Sequence, residues 1–386
     1  MRVLIAFDKF KDSLTATTAC TVVAQVLSER QRDWQLDLCP LADGGEGFAE
    51  ILTRAAGGEL HRFSVMGPRG AQVVATLGLV SAENIPAAAR RALALPALAA
   101  EPATRIAVIE MAAASGLALL SSVERDPWQT TTLGTGQLLL AARDLGAKAI
   151  LLGVGGSATN ELGLGALSAL GLNFKRADGV RVAVPTPQTW AQIAAVTGSV
   201  PADFPALCIA CDVTNPLLGS NGCSAVYGPQ KGLRAADLPA MERALATQAE
   251  RLRIHCGQPE SLLSEPGVGA AGGIAFGLLC AARARLIPGA TLVADWLDLD
   301  ARLAAADLVI TGEGRFDASS LQGKGPGAVA ARALALGKQV HVFAGQVAVA
   351  ESSGLRLHAI TPATLPLTEA LRAGSDLLAA AVRQTW

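Results

Sequence analysis

The chain has 386 residues, of which 51% are apolar and 17% are charged, a composition typical of a folded globular protein long enough for two domains. Its 32 basic and 33 acidic residues nearly cancel, so no basic surplus is available to bind nucleic acid or an anionic membrane surface. Seven scattered cysteines are interpreted as free thiols of a reducing compartment, and residues 1–8 show no secretory signal, so we expect a cytoplasmic protein.

Short apolar runs alternate with glycine-bearing loops and helical patterns along most of the chain, which is typical of a doubly wound parallel sheet. The predicted strands cover residues 3–7, 35–39, 149–154, 308–311, 340–344 and 358–361. The predicted helices cover residues 15–29, 47–56, 134–145, 163–170, 325–336 and 369–383. The uncharged stretch 266–282 is too short and too rich in glycine to span a membrane, and we interpret it as a buried helix.

Two stretches of the chain differ from this alternation. Residues 63–111 contain longer alternating segments, and residues 180–289 combine prolines with short apolar runs and an amphipathic helix at 235–253. We therefore predict an α/β protein with a Rossmann-like, doubly wound and mainly parallel domain formed by residues 1–64, 120–178 and 290–386. Residues 65–119 and 179–289 are predicted to form a second, mixed α/β domain.

Charged and glycine-rich loops follow several of the predicted strands. Ligands of an open parallel sheet bind beyond the carboxyl ends of its strands, so these loops are the candidate functional segments. Loop 8–13 combines acids with two lysines, and loop 40–47 combines three glycines with two carboxylates three residues apart. Lysines neutralise phosphate, glycines let the backbone approach a ligand, and carboxylates can ligate Mg²⁺ or accept a proton. A solvated turn and a capped helix start are the structural alternatives.

Two further loops have the character of phosphate sites. Loop 153–163 places glycines beside serine and threonine hydroxyls at a helix start, where free amides and the helix dipole favour an anion. It is not a Walker A loop, because GxxxxGK[ST] occurs nowhere in the chain, and it lacks the third glycine of GxGxxG. Loop 311–324 combines acids with an arginine and a lysine, which can hold a metal and neutralise a transferring phosphoryl group. Loop 212–219 adds an acid and an amide at another strand end.

These motifs occur together over nearly the whole chain, and with them the sequence resembles the bacterial glycerate kinases of the glycerate 2-kinase family. The resemblance rests on residues 8–11, 40–47, 109–117, 132–136, 155–160, 211–219, 228–232, 309–315 and 321–324. It implies ATP-dependent, Mg²⁺-assisted phosphorylation of D-glycerate to 2-phosphoglycerate, with the active site in a cleft between the two domains. One departure concerns Glu161, which follows Asn160 where relatives often carry Asn-Asp-Gly-Gly.

The residues and the resemblance together predict a role for each candidate. Catalytic roles are predicted for Asp43, Asp212, Lys9, Lys11 and Arg315. Nucleotide binding is predicted for Gly155, Gly156, Ser157, Thr159, Asn160, Gly312, Gly314 and Lys324. Substrate binding is predicted for Asp8, Gly44, Gly45 and Asn215, and metal binding for Glu46, Glu313 and Asp317.

Several alternatives stay open at this point. Either Asp43 or Asp212 accepts the proton of the glycerate hydroxyl, and the other serves Mg²⁺ together with Glu46 or Glu313. Phosphorylation at the 3-position, or of another small hydroxy acid, is an alternative reaction. A non-catalytic sensor of a phosphorylated metabolite would explain the glycine loops, but it leaves the many carboxylates unexplained. The expected partners are glycerate and nucleotide, with no nucleic acid and no membrane, and a homo-oligomer is possible.

Overall fold

A computed structural model describes residues 1–93, 103–318, 320 and 325–386. In chain order its strands are β1 Arg2–Phe7, β2 Gln35–Leu38, β3 Glu59–Met66, β4 Gln72–Ser81, β5 Arg105–Glu110, β6 Ala149–Gly153, β7 Asn173–Lys175, β8 Ala195–Thr197, β9 Ala206–Ala210, β10 Arg285–Ile287, β11 Leu308–Phe316, β12 Gln339–Val347 and β13 Leu355–Ala359. Its helices are α1 Ala16–Arg30, α2 Phe48–Ala55, α3 Ala87–Leu93, α4 Ala112–Ser115, α5 Leu133–Asp144, α6 Leu164–Ala169, α7 Cys223–Tyr227, α8 Leu238–His255, α9 Ala270–Ala282, α10 Gly289–Trp296, α11 Leu299–Ala305, α12 Gly325–Ala335, α13 Leu367–Arg372 and α14 Gly374–Thr385. The chain forms two compact units, the first made of Met1–Asp43 and Val293–Trp386 and the second of Gly44–Leu292.

The first unit is built on a five-stranded sheet in the order β13-β12-β11-β1-β2. All of its strand pairs are parallel, as expected where helices connect successive strands. One face of the sheet buries alternate residues such as Val3, Ile5 and Ile310 against helices α1 and α14. The chain builds the sheet outward from β1 to β2, and later from β11 to β13 on the other side. The strand order therefore reverses between β1 and β11, which is where open α/β sheets bind ligands.

The second unit contains a six-stranded sheet in the order β10-β9-β6-β5-β4-β3. Strands β5, β6, β9 and β10 are parallel, whereas β3 and β4 are antiparallel additions at one edge. Strand β6 is buried along its whole length, which explains its uninterrupted apolar sequence, AILLG. Strands β7 and β8 form a separate two-stranded sheet. None of the helices among the described residues combines the length and the apolar character required to cross a bilayer.

The mixed α/β class with parallel sheets is confirmed, but the chain divides differently from the predicted domains. The prediction grouped residues 120–178 with residues 1–64 and 290–386. In the structure β6 pairs with β5 and β9, so this segment belongs to the second unit. Residues 44–64 also belong to the second unit, because β3 pairs with β4. The spacing of strands along the chain carries no information on which sheet each strand joins.

Several predicted elements of the first unit have different bounds, including the strands predicted at 340–344 and 358–361, which are β12 and β13. The strand predicted at 308–311 continues to Phe316, because β12 pairs beside it as far as Val347. The helix predicted at 369–383 is divided into α13 and α14. The hydroxyl of Ser13 donates a hydrogen bond to the carbonyl of Leu371 at this division. A Cβ on Gly374 would overlap the Ser13 side chain, so the close approach of Ser13 requires glycine here.

Candidate active site

Two carboxylates lie at the point where the strand order of the first sheet reverses. Asp8 directly follows β1, and its backbone amide donates to the carbonyl oxygen of Gly312 at 3.0 Å. Because Phe7 is in register with Gly312, Glu313 is the next residue of the neighbouring strand. Parallel pairing therefore places an acid at the same level on each of two adjacent strands. This arrangement is a consequence of register, and no feature of either loop alone would produce it.

Burial changes the protonation of both acids. It raises the pKa of Asp8 to about 6, and the nearby Asp43 carboxylate raises it further, whereas Lys9 opposes the shift. Burial also raises the pKa of Glu313 to about 7; a hydrogen bond from Ser320 lowers it, and the charges of Asp8, Asp317 and Asp43 raise it. Neighbouring carboxylates thus disfavour the charged forms of Asp8 and Glu313, in addition to the effect of burial. A bound cation would relieve this repulsion.

The basic residues of the first unit only partly balance these charges. Lys9 Nζ contacts Asp43 Oδ1 at 3.0 Å, and about half of the Asp43 side chain remains exposed. Arg315 Nε contacts Asp317 Oδ2 at 3.1 Å on a largely exposed side chain. Lys11 is exposed in the loop after β1. The predicted nucleotide contact Lys324 lies outside the described residues.

Glu313 has unused hydrogen-bonding capacity. Its Oε1 atom is buried, and no described residue donates a hydrogen bond to it. A buried carboxylate oxygen in this state gains much from a donor or a cation. Within the described parts of the chain, however, no group of three or more His, Cys, Asp or Glu side chains could hold a metal without other ligands. The donor set therefore suits Mg²⁺ bound by one or two carboxylates together with phosphate oxygens and water.

The two predicted nucleotide-binding glycines of the first unit differ in what surrounds them. A Cβ on Gly312 would overlap the carbonyl oxygen of Phe343, so close strand packing explains this glycine. A Cβ on Gly314 would meet only ordinary contacts, the nearest being the Lys11 amide nitrogen at 3.5 Å. Packing therefore does not require a glycine at position 314. Gly325 at the start of α12 lies near Asp8, since its Cβ position is 3.4 Å from Asp8 Oδ2.

In the second unit, two glycine loops pack backbone against backbone at the carboxyl end of β6. The amide of Gly155 donates to the carbonyl of Gly44 at 3.0 Å. A Cβ on Gly155 would lie 2.8 Å from the amide nitrogen of Gly45, which leaves no room for a side chain. Gly156 is exposed and adopts a positive φ of 70°, which favours glycine whatever the surroundings. Glu46, the residue that follows Gly45, is exposed.

The polar side chains of loop 155–160 point into the protein interior. Ser157 is 8% exposed, and Thr159 and Asn160 are fully buried. Asn160 Nδ2 donates to Ser224 Oγ at 3.0 Å, and the buried ammonium of Lys231 donates to the Thr159 carbonyl at 2.7 Å. Desolvation lowers the pKa of Lys231 to about 8. The exposed backbone at Gly156 is therefore the part of this loop best placed to meet a ligand, and the side chains of Thr159 and Asn160 are covered.

The carboxyl group of Glu161 is buried and is held by hydrogen bonds within the protein. Its Oε1 accepts from Thr132 Oγ1 at 2.6 Å, and its Oε2 accepts from the Gly165 amide at 2.7 Å. Complete burial raises the pKa of Glu161 to about 8, although these hydrogen bonds oppose the shift. The carboxyl group joins the start of α5 to the start of α6. Both carboxyl oxygens of Glu161 are thus engaged by internal hydrogen bonds.

Asp212 and Asn215 also make internal hydrogen bonds. Both carboxylate oxygens of Asp212 accept from the amide of Ala290, at 3.1 and 2.9 Å, near the start of α10. Asn215 Nδ2 donates to the Asn221 carbonyl, and its Oδ1 accepts from the hydroxyl of Tyr227 at 2.7 Å. These contacts are typical of residues that shape a loop and cap a helix.

Two residues without a predicted role occupy notable positions in the second unit. Glu110 ends β5, and its Oε2 accepts from the Ala49 amide in the first turn of α2 at 3.0 Å. An acid at the end of a strand is the signal that singled out Asp8, and it would have found Glu110 as well. Lys231 is the other, and nothing in its local sequence indicates that its ammonium group is buried.

Comparison with known proteins identifies the class of protein to which these features belong. The model of the glycerate kinase family matches residues 3–386. A glycerate kinase from Halalkalibacterium halodurans is 36% identical over 99% of this chain and 96% of its own length. The glycerate 2-kinase of Escherichia coli K12 is 35% identical, with 99% of this chain and 96% of that protein covered.

A solved structure has the same fold. The crystal structure of a protein provisionally named glycerate kinase 2 from Salmonella typhimurium LT2 superposes with a TM-score of 0.75 and is 35% identical. The superposition covers 100% of this chain and 97% of the Salmonella chain. The chain belongs to the glycerate kinase family and is an enzyme, a kinase.

The buried carboxyl group of Glu161 generates a prediction on stability. Its pKa is about 8 in the folded protein and near 4.5 ordinarily, so between these values the folded state keeps a proton that the unfolded chain releases. The free energy of unfolding of the wild type should therefore fall, relative to Glu161→Gln, by at least about 1 kcal/mol as pH rises from about 4.5 to 8. Urea unfolding of both proteins across this range measures the difference. Parallel curves would contradict the assignment, and Glu29→Gln, at an exposed position on α1, is the control.

Proposed function

We propose that this kinase transfers the γ-phosphoryl group of ATP to the 2-hydroxyl of D-glycerate with the assistance of Mg²⁺, forming 2-phosphoglycerate. Membership of the glycerate kinase family supports glycerate as the acceptor. The name of the E. coli relative, glycerate 2-kinase, supports the 2-position. The observation that carries the proposal for this chain is the pair Asp8 and Glu313 at the strand-order reversal of the first sheet.

These two acids fit a magnesium ion that is shared with phosphate. Their raised pKa values show that the protein alone does not stabilise both charges, and Glu313 Oε1 lacks a hydrogen-bond donor among the described residues. Mg²⁺ in such a site would neutralise charge on the nucleotide phosphates. Asp8 and Glu313 would hold it, and Asp317 lies close enough to Glu313 to influence its pKa. Glu46 belongs to the second unit and is a weaker candidate, because it is exposed and no hydrogen bond or ion pair orients its side chain among the described residues.

The nucleotide phosphates require positive or amide groups as well. Arg315 and Lys11 are exposed in the first unit, close in sequence to Glu313 and Asp8. Gly314 offers a backbone that a ligand can approach, since neither packing nor its backbone conformation accounts for the glycine. In the second unit Gly156 is exposed at the end of β6, where its positive φ already accounts for the glycine. We assign phosphate contact to Arg315, Lys11 and the Gly314 backbone of the first unit, and to the buried side chains of Ser157, Thr159 and Asn160 the separate role of shaping the glycine loop of the second unit.

Asp43 is the better candidate for the base that accepts the substrate proton. Its side chain is half exposed, so a hydroxyl group can reach it, and Lys9 stabilises its charged form at 3.0 Å. Asp212 instead directs both oxygens at the Ala290 amide. In the proposed step the glycerate hydroxyl gives its proton to Asp43 as its oxygen bonds to the γ-phosphorus, and the bond from that phosphorus to ADP breaks. Asp212 and Asn215 instead order the loop after β9 within the second unit.

The product tests the proposed reaction directly. Incubation of the protein with ATP, Mg²⁺ and D-glycerate should yield ADP and a phosphoglycerate whose ³¹P signal couples to the single proton on C2. Coupling to the two protons on C3 would show the 3-kinase reaction instead. Parallel kcat/KM measurements with tartronate and erythronate test the acceptor, and a higher value for either would reassign the substrate. Absence of ADP formation with every acceptor would refute kinase activity under these conditions.

Replacement of Glu313 tests the metal role. Glu313→Gln should lower kcat by about 100-fold and raise the Mg²⁺ concentration needed for half-maximal activity, because one anionic ligand is lost. The matched control is Glu29→Gln, the same change at an exposed position of the first unit, which should alter kcat by less than about twofold. Near-normal kcat and an unchanged magnesium requirement in Glu313→Gln would remove Glu313 from the mechanism.

Two variants distinguish Asp43 from Asp212 as the base. Asp43→Asn should reduce kcat by about 10²–10⁴-fold with little change in melting temperature, as expected for loss of a general base. Asp212→Asn should lower the unfolding free energy by about 0.5–2 kcal/mol, because it weakens the interaction with the start of α10, and should affect kcat less. Steady-state kinetics and thermal unfolding of both variants decide between the two acids. The reverse pattern would identify Asp212 as the base.

A further inference from the structure

A cavity of about 500 Å³ lies within the second unit, apart from every residue assigned above to the reaction. Its walls come from the short 3₁₀ helix Pro187–Gln192, from α8 and from the segment around Trp128. Cavities of about 300–1,000 Å³ are the usual size of small-molecule sites. The cavity is therefore large enough for a ligand of a dozen or so non-hydrogen atoms.

A single charged side chain lines this cavity. Arg251 is half-buried, and one of its guanidinium nitrogens, NH1, donates to Gln248 Oε1 at 2.9 Å. No ion pair joins Arg251 to a carboxylate in the described parts of the chain, and no acid lines the cavity. The neighbouring acid Glu250 is engaged by Arg253 at 2.6 Å instead. The local charge is thus +1 and is available to an anion.

The position of the arginine is fixed by a buried amide. Gln248 is only 4% exposed, and its Nε2 donates to the carbonyl of Trp190 at 3.0 Å while its Oε1 accepts from Arg251. The amide therefore connects the arginine on α8 to the opposite wall. Trp190 is 2% exposed, and its indole Nε1 is buried without a hydrogen-bond partner among the described residues. A buried N–H group without a partner is stabilised when an acceptor atom forms a hydrogen bond with it.

The remaining walls are largely apolar. Trp128 is half-buried at the cavity and Ile193 is buried, and the other walls combine alanine and proline side chains with the polar residues Gln188 and Thr247. Aromatic and aliphatic walls of this kind bind flat apolar groups. A cationic ligand would be repelled by Arg251, and a phosphate dianion would meet only one cation. A neutral apolar ligand would leave the guanidinium without a counter-charge.

We infer that this cavity is a second ligand site, which binds a small monocarboxylate carrying a flat apolar body. The carboxylate pairs with Arg251, and the apolar body lies against Trp128 and Ile193. An acceptor atom of the ligand completes the hydrogen bonding of the Trp190 indole after a small shift of the ring. Glycerate has a carboxylate but no apolar body, so the site is distinct in specificity from the one that carries out phosphoryl transfer.

Benzoate is the probe for this site, and benzamide is its neutral counterpart of nearly the same shape. Titration of the full-length protein, followed by tryptophan fluorescence and by calorimetry, should show saturable binding of benzoate with a dissociation constant in the millimolar range or below. Benzamide should bind at least about tenfold more weakly, because it cannot form the charge-assisted contact. A saturating concentration of D-glycerate should leave benzoate binding unchanged.

Two variants on the same helix locate the site. Arg251→Gln should weaken benzoate at least about tenfold and leave benzamide unaffected. Arg243→Gln removes an exposed arginine of α8 that does not line the cavity, and it should change neither affinity. Trp128→Ala should also weaken the binding of benzoate, and the melting temperature of this variant checks that it is folded. Any of four results would overturn the inference. These are equal binding of benzoate and benzamide, equal effects of the two arginine variants, displacement of benzoate by D-glycerate, and no saturable binding of benzoate.

Discussion

The parallel pairing of β1 with β11 is the constraint on which the first unit depends. It joins β1, which starts at Arg2, to β11, which ends at Phe316, and it sets the point at which the strand order reverses. The same register places Asp8 beside the strand that carries Glu313. Two acids held together by main-chain hydrogen bonds cannot move apart to relieve their repulsion. Burial is the main cause of the raised pKa values of Asp8 and Glu313, and nearby carboxylates add to the shift in both.

The acids of the second unit are stabilised in a different way. Glu110, Glu161 and Asp212 each accept a hydrogen bond from a backbone amide near the start of a helix. Such amides stabilise a carboxylate through hydrogen bonding and through the helix dipole. These acids therefore order the loops at the carboxyl ends of β5, β6 and β9. In the first unit, by contrast, the charges of Asp8, Asp43 and Asp317 raise the pKa of the neighbouring Glu313.

The sequence predicted local structure well and tertiary assignment poorly. Apolar runs and glycine-bearing loops located β1, β2, β6 and the helices beside them within a few residues, because these signals are local. The partner of β6 depends on contacts with β5 and β9, which no pattern within residues 149–154 encodes. For the same reason, the sequence located the strand-end loops that could form the site, but it did not predict which of these loops lie together in the fold. The burial of Lys231, and the lack of a hydrogen-bond donor to Glu313 Oε1 among the described residues, are properties of packing that only coordinates provide.

The glycines show most clearly what a sequence leaves undecided. In a glycine-rich loop each glycine can be explained by close packing, by a positive φ or by the approach of a ligand, and the sequence is the same in all three cases. At Gly312 and Gly155 the nearest atoms of the protein leave no room for a Cβ, so packing is a sufficient reason. At Gly156 the positive φ is sufficient. Among the described residues nothing imposes either constraint on Gly314, which lies between Glu313 and Arg315. In the proposed nucleotide site, the approach of a ligand to the backbone between these two side chains would account for the glycine.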